Sequence, residues 1–154
     1  MMIKQLPISI RGAHKSDVRS QFAALCFRLR RGKPEVLIIT SRGSKRWIVP
    51  KGWPIDGLTP AASAAQEAWE EAGVDGKVFD QSLGLYSYNK ILDDGTGAPC
   101  VAIVYPIKVK SLAKDFPEKG QRLRRWVTPE KAAALVAEPE LARILKDFDP
   151  RALK

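Results

Sequence analysis

Residues 52–74 read GWPIDGLTPAASAAQEAWEEAGV, and how this stretch is parsed decides the fold. Thr59 is suited to cap a helix and Pro60 to be its first residue, because proline has no amide hydrogen to leave unpaired there. The helix is expected to run to about Ala72 and to stop at Gly73, the residue type favoured just past a C-terminus. Within it Glu67, Glu70 and Glu71 stand at i, i+3 and i+4, which gathers three carboxylates on one side. Ala61, Ala65, Ala68, Trp69 and Ala72 are read as the opposite, apolar side, small enough for close contact with a sheet. No Lys or Arg at i±3 or i±4 relieves the like charges, which oppose helix formation. A divalent hard cation would offset that repulsion, whereas a plainly solvated helix would also tolerate it, since Glu is a good helix former. The preceding loop favours the cation: Gly52 and Gly57 permit tight turns and leave amides free to meet a phosphate.

Outward from the helix, short apolar runs alternate with turn residues. Ser20–Arg30 and Pro34–Thr40 read as strands joined by a turn at Arg31–Gly32–Lys33, and Trp47–Val49 as a short strand stopped by Pro50. Ser82–Asn89 and Cys100–Val109 read as strands around the turn-rich DDGTGAP, and Leu123–Val127 as another. Thr128 is expected to cap a helix from Pro129, with Pro139 dividing it from a last helix over Glu140–Phe148. The class expected is α+β, a mixed sheet covered on both faces, in one domain over residues 1–154.

Composition narrows the chemistry. The 154 residues, 45% hydrophobic and 28% charged, fit an ordinary globular chain. The apolar runs are too short for a membrane span, and residues 1–12 lack a signal-peptide core, so a cytoplasmic protein without membrane partners is expected. One histidine, His14, and two cysteines, Cys26 and Cys100, are too few for a four-ligand zinc centre. Both cysteines sit in apolar runs (AALCF, CVAIVY) and are expected to be buried and unreactive, which argues against a Cys-His nucleophile, and a Ser-His-Asp triad would have to use His14, in a polar stretch two residues from Gly12. The net charge of +9 is one-sided: residues 1–58 carry 12 basic and 3 acidic residues, while residues 59–154 carry 14 of each. Such a field suits a polyanionic partner.

In this setting the quoted stretch resembles the Nudix box, G-x5-E-x7-R-E-U-x-E-E-x-G-U with U apolar. Gly52, Glu67, Ala68, Glu70, Glu71, Gly73 and Val74 fall on its positions in register. The flanking SRGSKRWIVPKG and FPEKGQRLRRWVTPEKA are similar to segments of the diphosphoinositol-polyphosphate phosphohydrolase branch, so the likeness extends from about Arg19 to Ala134. The resemblance implies the Nudix fold, an α/β/α sandwich around a mixed sheet. It also implies Mg2+-dependent hydrolysis (Mn2+ as an alternative) of a diphosphate bond in a phosphorylated small molecule. Diphosphoinositol polyphosphates and dinucleoside polyphosphates are the classes implied.

Carried over residue by residue, the resemblance assigns Glu67, Glu71 and the Gly52 carbonyl to the metal and Glu70 to activation of water, with Glu118 as a further ligand. Arg11, Arg19, Arg42, Arg46 and Arg122 fall at or beside its substrate-contacting cations, and Lys45 and Lys51 are weaker candidates. Trp47 is expected to pack beneath its loop rather than to stack on a base. Three positions depart from the pattern: Leu58 and Gln66 replace the expected Glu and Arg, and Trp53 replaces a glycine. Gln66 can donate hydrogen bonds but lacks charge and a bidentate fork, and Asp56 stands two residues from the missing carboxylate. These departures motivate a second reading, a catalytically weak module that binds nucleotide or RNA. A monomer or a homodimer is expected.

Overall fold

The computed structural model describes residues 18–91 and 94–153. Arg11 and His14 lie outside the described residues. Eight strands form one mixed sheet: β1 (Arg19–Arg30), β2 (Lys33–Thr40), β3 (Trp47–Ile48), β4 (Lys51–Gly52), β5 (Val74–Val78), β6 (Gly84–Ile91), β7 (Gly97–Leu112) and β8 (Arg124–Val127). The helices are α1 (Pro60–Ala72), α2 (Pro129–Leu135) and α3 (Pro139–Asp147), followed by a 3-10 turn at Pro150–Ala152.

Two long strands organise the sheet. β1 and β7 run parallel through its centre, from Arg19 beside Cys100 to Phe27 beside Lys108. Each splits its other edge between two partners. β1 pairs near its start with β4, Phe22 against Gly52, and near its end with β2, Cys26 against Leu37. β7 pairs with β6 along its first half and with β5 along its second. Arg31 and Gly32, both at positive φ, make the tight β1–β2 turn, a geometry whose twist matches that of the flanking strands.

Alternation along β1 shows how one strand serves two cores. Ala23, Leu25 and Phe27 face the core closed by α2, which supplies Ala132, and α3, which supplies Leu141 and Leu145. Ala24 and Cys26 face the core closed by α1, through Ala64, Ala68 and Ala72. The result is the expected α/β/α sandwich of α+β class. Cys26 and Cys100 are free and buried, as expected, and burial pushes both thiols up. Trp47 is half-buried and packs against the α2–α3 core. Among the described residues no helix is long and apolar enough to cross a membrane.

The caps of α1 match expectation. The Thr59 hydroxyl accepts from the Ala62 amide, and Gly73 ends the helix in the left-handed region at φ 68°. Two strands were not anticipated, β4 and β5. β4 is only two residues long, and β5 contains Asp75, Gly76 and Lys77, so neither has an apolar run to betray it. Gly76 instead serves a bulge where the β7 backbone comes too close for any side chain.

Candidate active site

Helix α1 does not divide into the expected acidic and alanine sides. Its buried residues are Ala61, Ser63, Ala64, Ala68, Glu71 and Ala72, while Ala65 and Trp69 are only half-buried. The packed face is therefore rotated towards the acids, and Glu71 belongs to it, with 6% of its surface exposed. The three glutamates do not form a common outward stripe. Burying a carboxylate requires compensation, and its partners come from elsewhere in the chain. The Lys51 amide donates to Glu71 Oε1 at 3.4 Å, and the Arg122 guanidinium lies 3.8 Å from the same oxygen. Spacing within α1 could not show either contact.

Gly52 brings β4 against the helix. A Cβ at this position would lie 2.2 Å from Glu67 Cδ, so only glycine lets the Glu67 carboxyl rest against the strand. Glu67 and Glu71, one turn apart, are within hydrogen-bonding reach of each other. Burial pushes both carboxyls up, Glu71 to about 8, against the pull of Arg122. Burial also lowers the Lys51 ammonium, opposed by Glu71 and Glu138.

These residues line a cleft of about 550 Å3 together with Gln21, Ser41, Arg42, Trp53, Lys90, Glu118 and Arg122. Arg122 is its organiser: it donates to Glu118 Oε1 at 3.0 Å and to the Thr40 carbonyl at 3.1 Å, besides approaching Glu71. The loop bearing Glu118 is tied to α1 by the hydrogen bond that the Glu118 N–H donates to the Glu70 carbonyl, 2.9 Å. Arg42 reaches the same loop through Gln121 Oε1 at 3.2 Å.

Of the expected site residues, the cleft thus unites Arg42, Lys51, Gly52, Glu67, Glu71, Glu118 and Arg122. It does not include Glu70, whose Oε2 accepts from Gln66 Nε2 at 2.8 Å. Arg46 turns away to Ser44 and Glu138, and Arg19 is exposed at the start of β1. Lys45 is held at φ 54° and lines a neighbouring hollow with Trp47 and Gly120. Leu58 and Gln66 line a different hollow beside α1, and Asp56 is exposed in a turn outside the cleft lining.

Gln21 and Lys90 also line the cleft and were not among the expected site residues. Gln21 is 2% exposed and accepts from the Tyr88 hydroxyl; a lone amide in an apolar strand was the available signal. Lys90 reaches the cleft from β6, a long-range placement that no local spacing encodes.

The residues present fit a divalent hard cation. The donors are carboxyl oxygens, and the space where Gly52 has no Cβ admits one of them against the backbone. Among the described residues no three Asp, Glu, His or Cys side chains are gathered closely enough to hold an ion by themselves. Two carboxylates completed by substrate phosphates is the arrangement that matches, as is common for Mg2+.

Comparison with known proteins agrees with this geometry. A Nudix domain profile matches residues 19–148. The chain is 32% identical over 119 residues to Nudix hydrolase 12, mitochondrial, of Arabidopsis thaliana, covering 75% of this chain and 59% of that protein. It therefore spans less than two thirds of that relative's length. It is also 32% identical over 132 residues to human diphosphoinositol polyphosphate phosphohydrolase 3-beta, covering 84% of this chain and 76% of that protein. Among solved structures, a C. elegans Ap4A hydrolase binary complex aligns with TM-score 0.61 at 17% identity, over 83% of this chain and 93% of that one. An E. coli dihydroneopterin triphosphate pyrophosphohydrolase aligns with TM-score 0.65 at 15% identity, over 86% and 96%. At such identities the structural likeness speaks for the fold alone, whereas the profile match covers most of the chain. The chain belongs to the Nudix hydrolase family.

Proposed function

We propose that the protein is a divalent-metal-dependent hydrolase of a phosphoanhydride bond in a highly phosphorylated small molecule. Dinucleoside polyphosphates and diphosphoinositol polyphosphates are its candidate substrate classes. The observation that carries this reading is the convergence of Glu67 and Glu71 against Gly52, in a cleft otherwise lined by Arg42, Lys51, Lys90 and Arg122. Carboxylates alone would repel such a substrate, and cations alone would bind it without activating water.

In this reading Glu67, Glu71 and the Gly52 carbonyl would hold Mg2+ (or Mn2+), and Glu118, paired with Arg122 in the same cleft, would have to move towards them to serve as a further oxygen donor. The bound ion would supply polarisation of the phosphoryl group and a lowered pKa for the attacking water. Arg42, Lys51 and Arg122 bind phosphate oxygens, for which guanidinium forks are well matched. Arg122 also keeps Glu71 and Glu118 in place. Glu70 accepts the proton of the water; Gln66, in the position of the family arginine, orients it through the 2.8 Å bond. That role requires the Glu70 side chain to turn towards the cleft when substrate is bound. Arg11, Arg19 and Arg46 remain candidate outer phosphate contacts.

Purified protein incubated with Mg2+ and dinucleoside polyphosphates, diphosphoinositols, nucleoside triphosphates and 5′-triphosphate RNA tests the proposal. Cleavage of at least one diphosphate substrate, reduced about 10²–10⁴-fold in Glu70→Gln with metal binding kept, is the expected result for loss of a general base. A second reading, a binding module for nucleotide or RNA, draws on one observation: Glu70 is tied to Gln66 outside the cleft lining. Equal inertness of wild type and Glu70→Gln on every substrate, with RNA bound without Mg2+ and released steeply by salt, would favour it.

A further inference from the structure

Trp53 occupies a position that the metal site does not use. Among the described residues the exposed large hydrophobics are Leu29, Trp53, Leu58, Ile91 and Leu123, and Trp53 is the one aromatic among them. Its 39% exposure contrasts with Trp47, Trp69 and Trp126, all half-buried. An exposed indole loses the stabilisation that burial would give it, yet this one lies in the lining of the cleft. It leaves the chain one residue after the glycine that meets the Glu67 carboxyl. The neighbouring lining is apolar on this side, with Pro54 and Ile55, while Lys90 stands over the ring at 5.8 Å from its centroid. That distance is close to the outer limit of a cation–π contact, so Lys90 is held only weakly over the ring face that a base would displace it from. The cleft therefore offers, in adjacent residues, a cation-and-carboxylate group suited to phosphates and a flat aromatic face suited to a π-system.

We propose that Trp53 is the stacking platform for a nucleobase and selects nucleotide-bearing polyphosphates over polyphosphates carried on a non-aromatic ring. This specifies the substrate class of the hydrolase reading and rests on the same cleft. A diphosphoinositol could fill the phosphate contacts but has no face to lay on the indole. A dinucleoside polyphosphate or nucleoside diphosphate derivative uses both groups. Stacking tolerates any base, because each has a π-face, so Trp53 confers preference for nucleotides without preference among bases.

The test compares two non-hydrolysable ligands by calorimetry in the presence of Mg2+: α,β-methylene ADP and its base-free counterpart, methylenediphosphonate. Trp53→Ala is expected to weaken methylene-ADP binding about tenfold or more, the scale of one lost base–aromatic stack. Methylenediphosphonate should change by less than about twofold, and Trp53→Phe should restore most of the loss. Equal weakening of both ligands would show that the indole only shapes the cleft, and would overturn the proposal. So would unchanged methylene-ADP affinity in Trp53→Ala, or failure of wild type to bind methylene-ADP. Failure of the hydrolase reading looks different: no diphosphate is cleaved, while the Trp53-dependent gap between the two ligands persists.

Discussion

Gly52 and Glu71 show at the residue scale how the site departs from a simple helical stripe. Gly52 admits the Glu67 carboxyl where a methyl group would stand 2.2 Å from Cδ. In Gly52→Ala the flexible glutamate must swing away, so thermal stability is expected to change little while affinity for Mg2+ falls at least tenfold by calorimetry. A loss of stability with metal binding intact would contradict this placement. Glu71 is buried beside Glu67, and both titrate upward, Glu71 to about 8. Metal-free folded protein therefore holds these protons more tightly than the unfolded chain does. Their contribution is fully present below the ordinary glutamate range and is lost as pH rises towards about 8. If Glu67 and Glu71 hold Mg2+ as proposed, the ion must replace these protons, so stabilisation by Mg2+ is expected to grow between pH 5 and pH 8, with proton release on binding. Thermal melts with and without Mg2+ across that range check the sign. At this scale the sequence exposed residue types and spacing: Glu67, Glu71 and Gly52 were legible. That Glu71 would be buried under Arg122 was not, because the partner lies 51 positions away in the chain.

Helix α1 transmits the fold to the site through its ends. Gly73 sits at φ 68°, and a Cβ there would meet Phe116 Cδ1 at 2.7 Å. Gly73→Ala is expected to lose about 1–2 kcal/mol of stability in denaturant unfolding, from backbone strain and displaced packing. The loop it disturbs carries Glu118, whose amide is bonded to Glu70, and Arg124 holds the same junction through the Ala72 and Ala113 carbonyls. Turnover should therefore fall further than stability alone explains. At the other end Thr59→Ala, which removes only the cap to Ala62, should cost about 1 kcal/mol and leave turnover near wild type. Both caps were legible because Thr-Pro and Ala-Gly are local signals. β4 and β5 were not: a two-residue strand and a bulged polar one owe their pairing to β1 and β7, not to their own propensity.

At the scale of the whole molecule, the parallel β1–β7 pair carries α1 on one face and the α2–α3 pair on the other. The alternation of apolar runs and turns made this layering legible, whereas the splitting of each long strand between two partners is a tertiary choice. The charge imbalance of the first 58 residues was equally visible, and from it the cleft draws Arg42 and Lys51. Attraction of a polyanion by such a field is screened by salt. KM for a polyphosphate substrate is expected to rise several-fold between 50 mM and 300 mM salt, with kcat nearly constant; a flat KM would deny the cationic lining a part in capture. The central claim is that the half-buried Glu67 and the buried Glu71 hold the ion that drives phosphoanhydride cleavage. The most direct measurement is the rate of cleavage of a dinucleoside polyphosphate against Mg2+ concentration, in wild type and Glu71→Gln. Wild type should saturate with Mg2+ and stop on chelation, while Glu71→Gln should need more Mg2+ and cleave at least about a hundredfold more slowly. Cleavage that survives chelation, or a Glu71→Gln variant with the wild-type rate and Mg2+ dependence, would contradict the account.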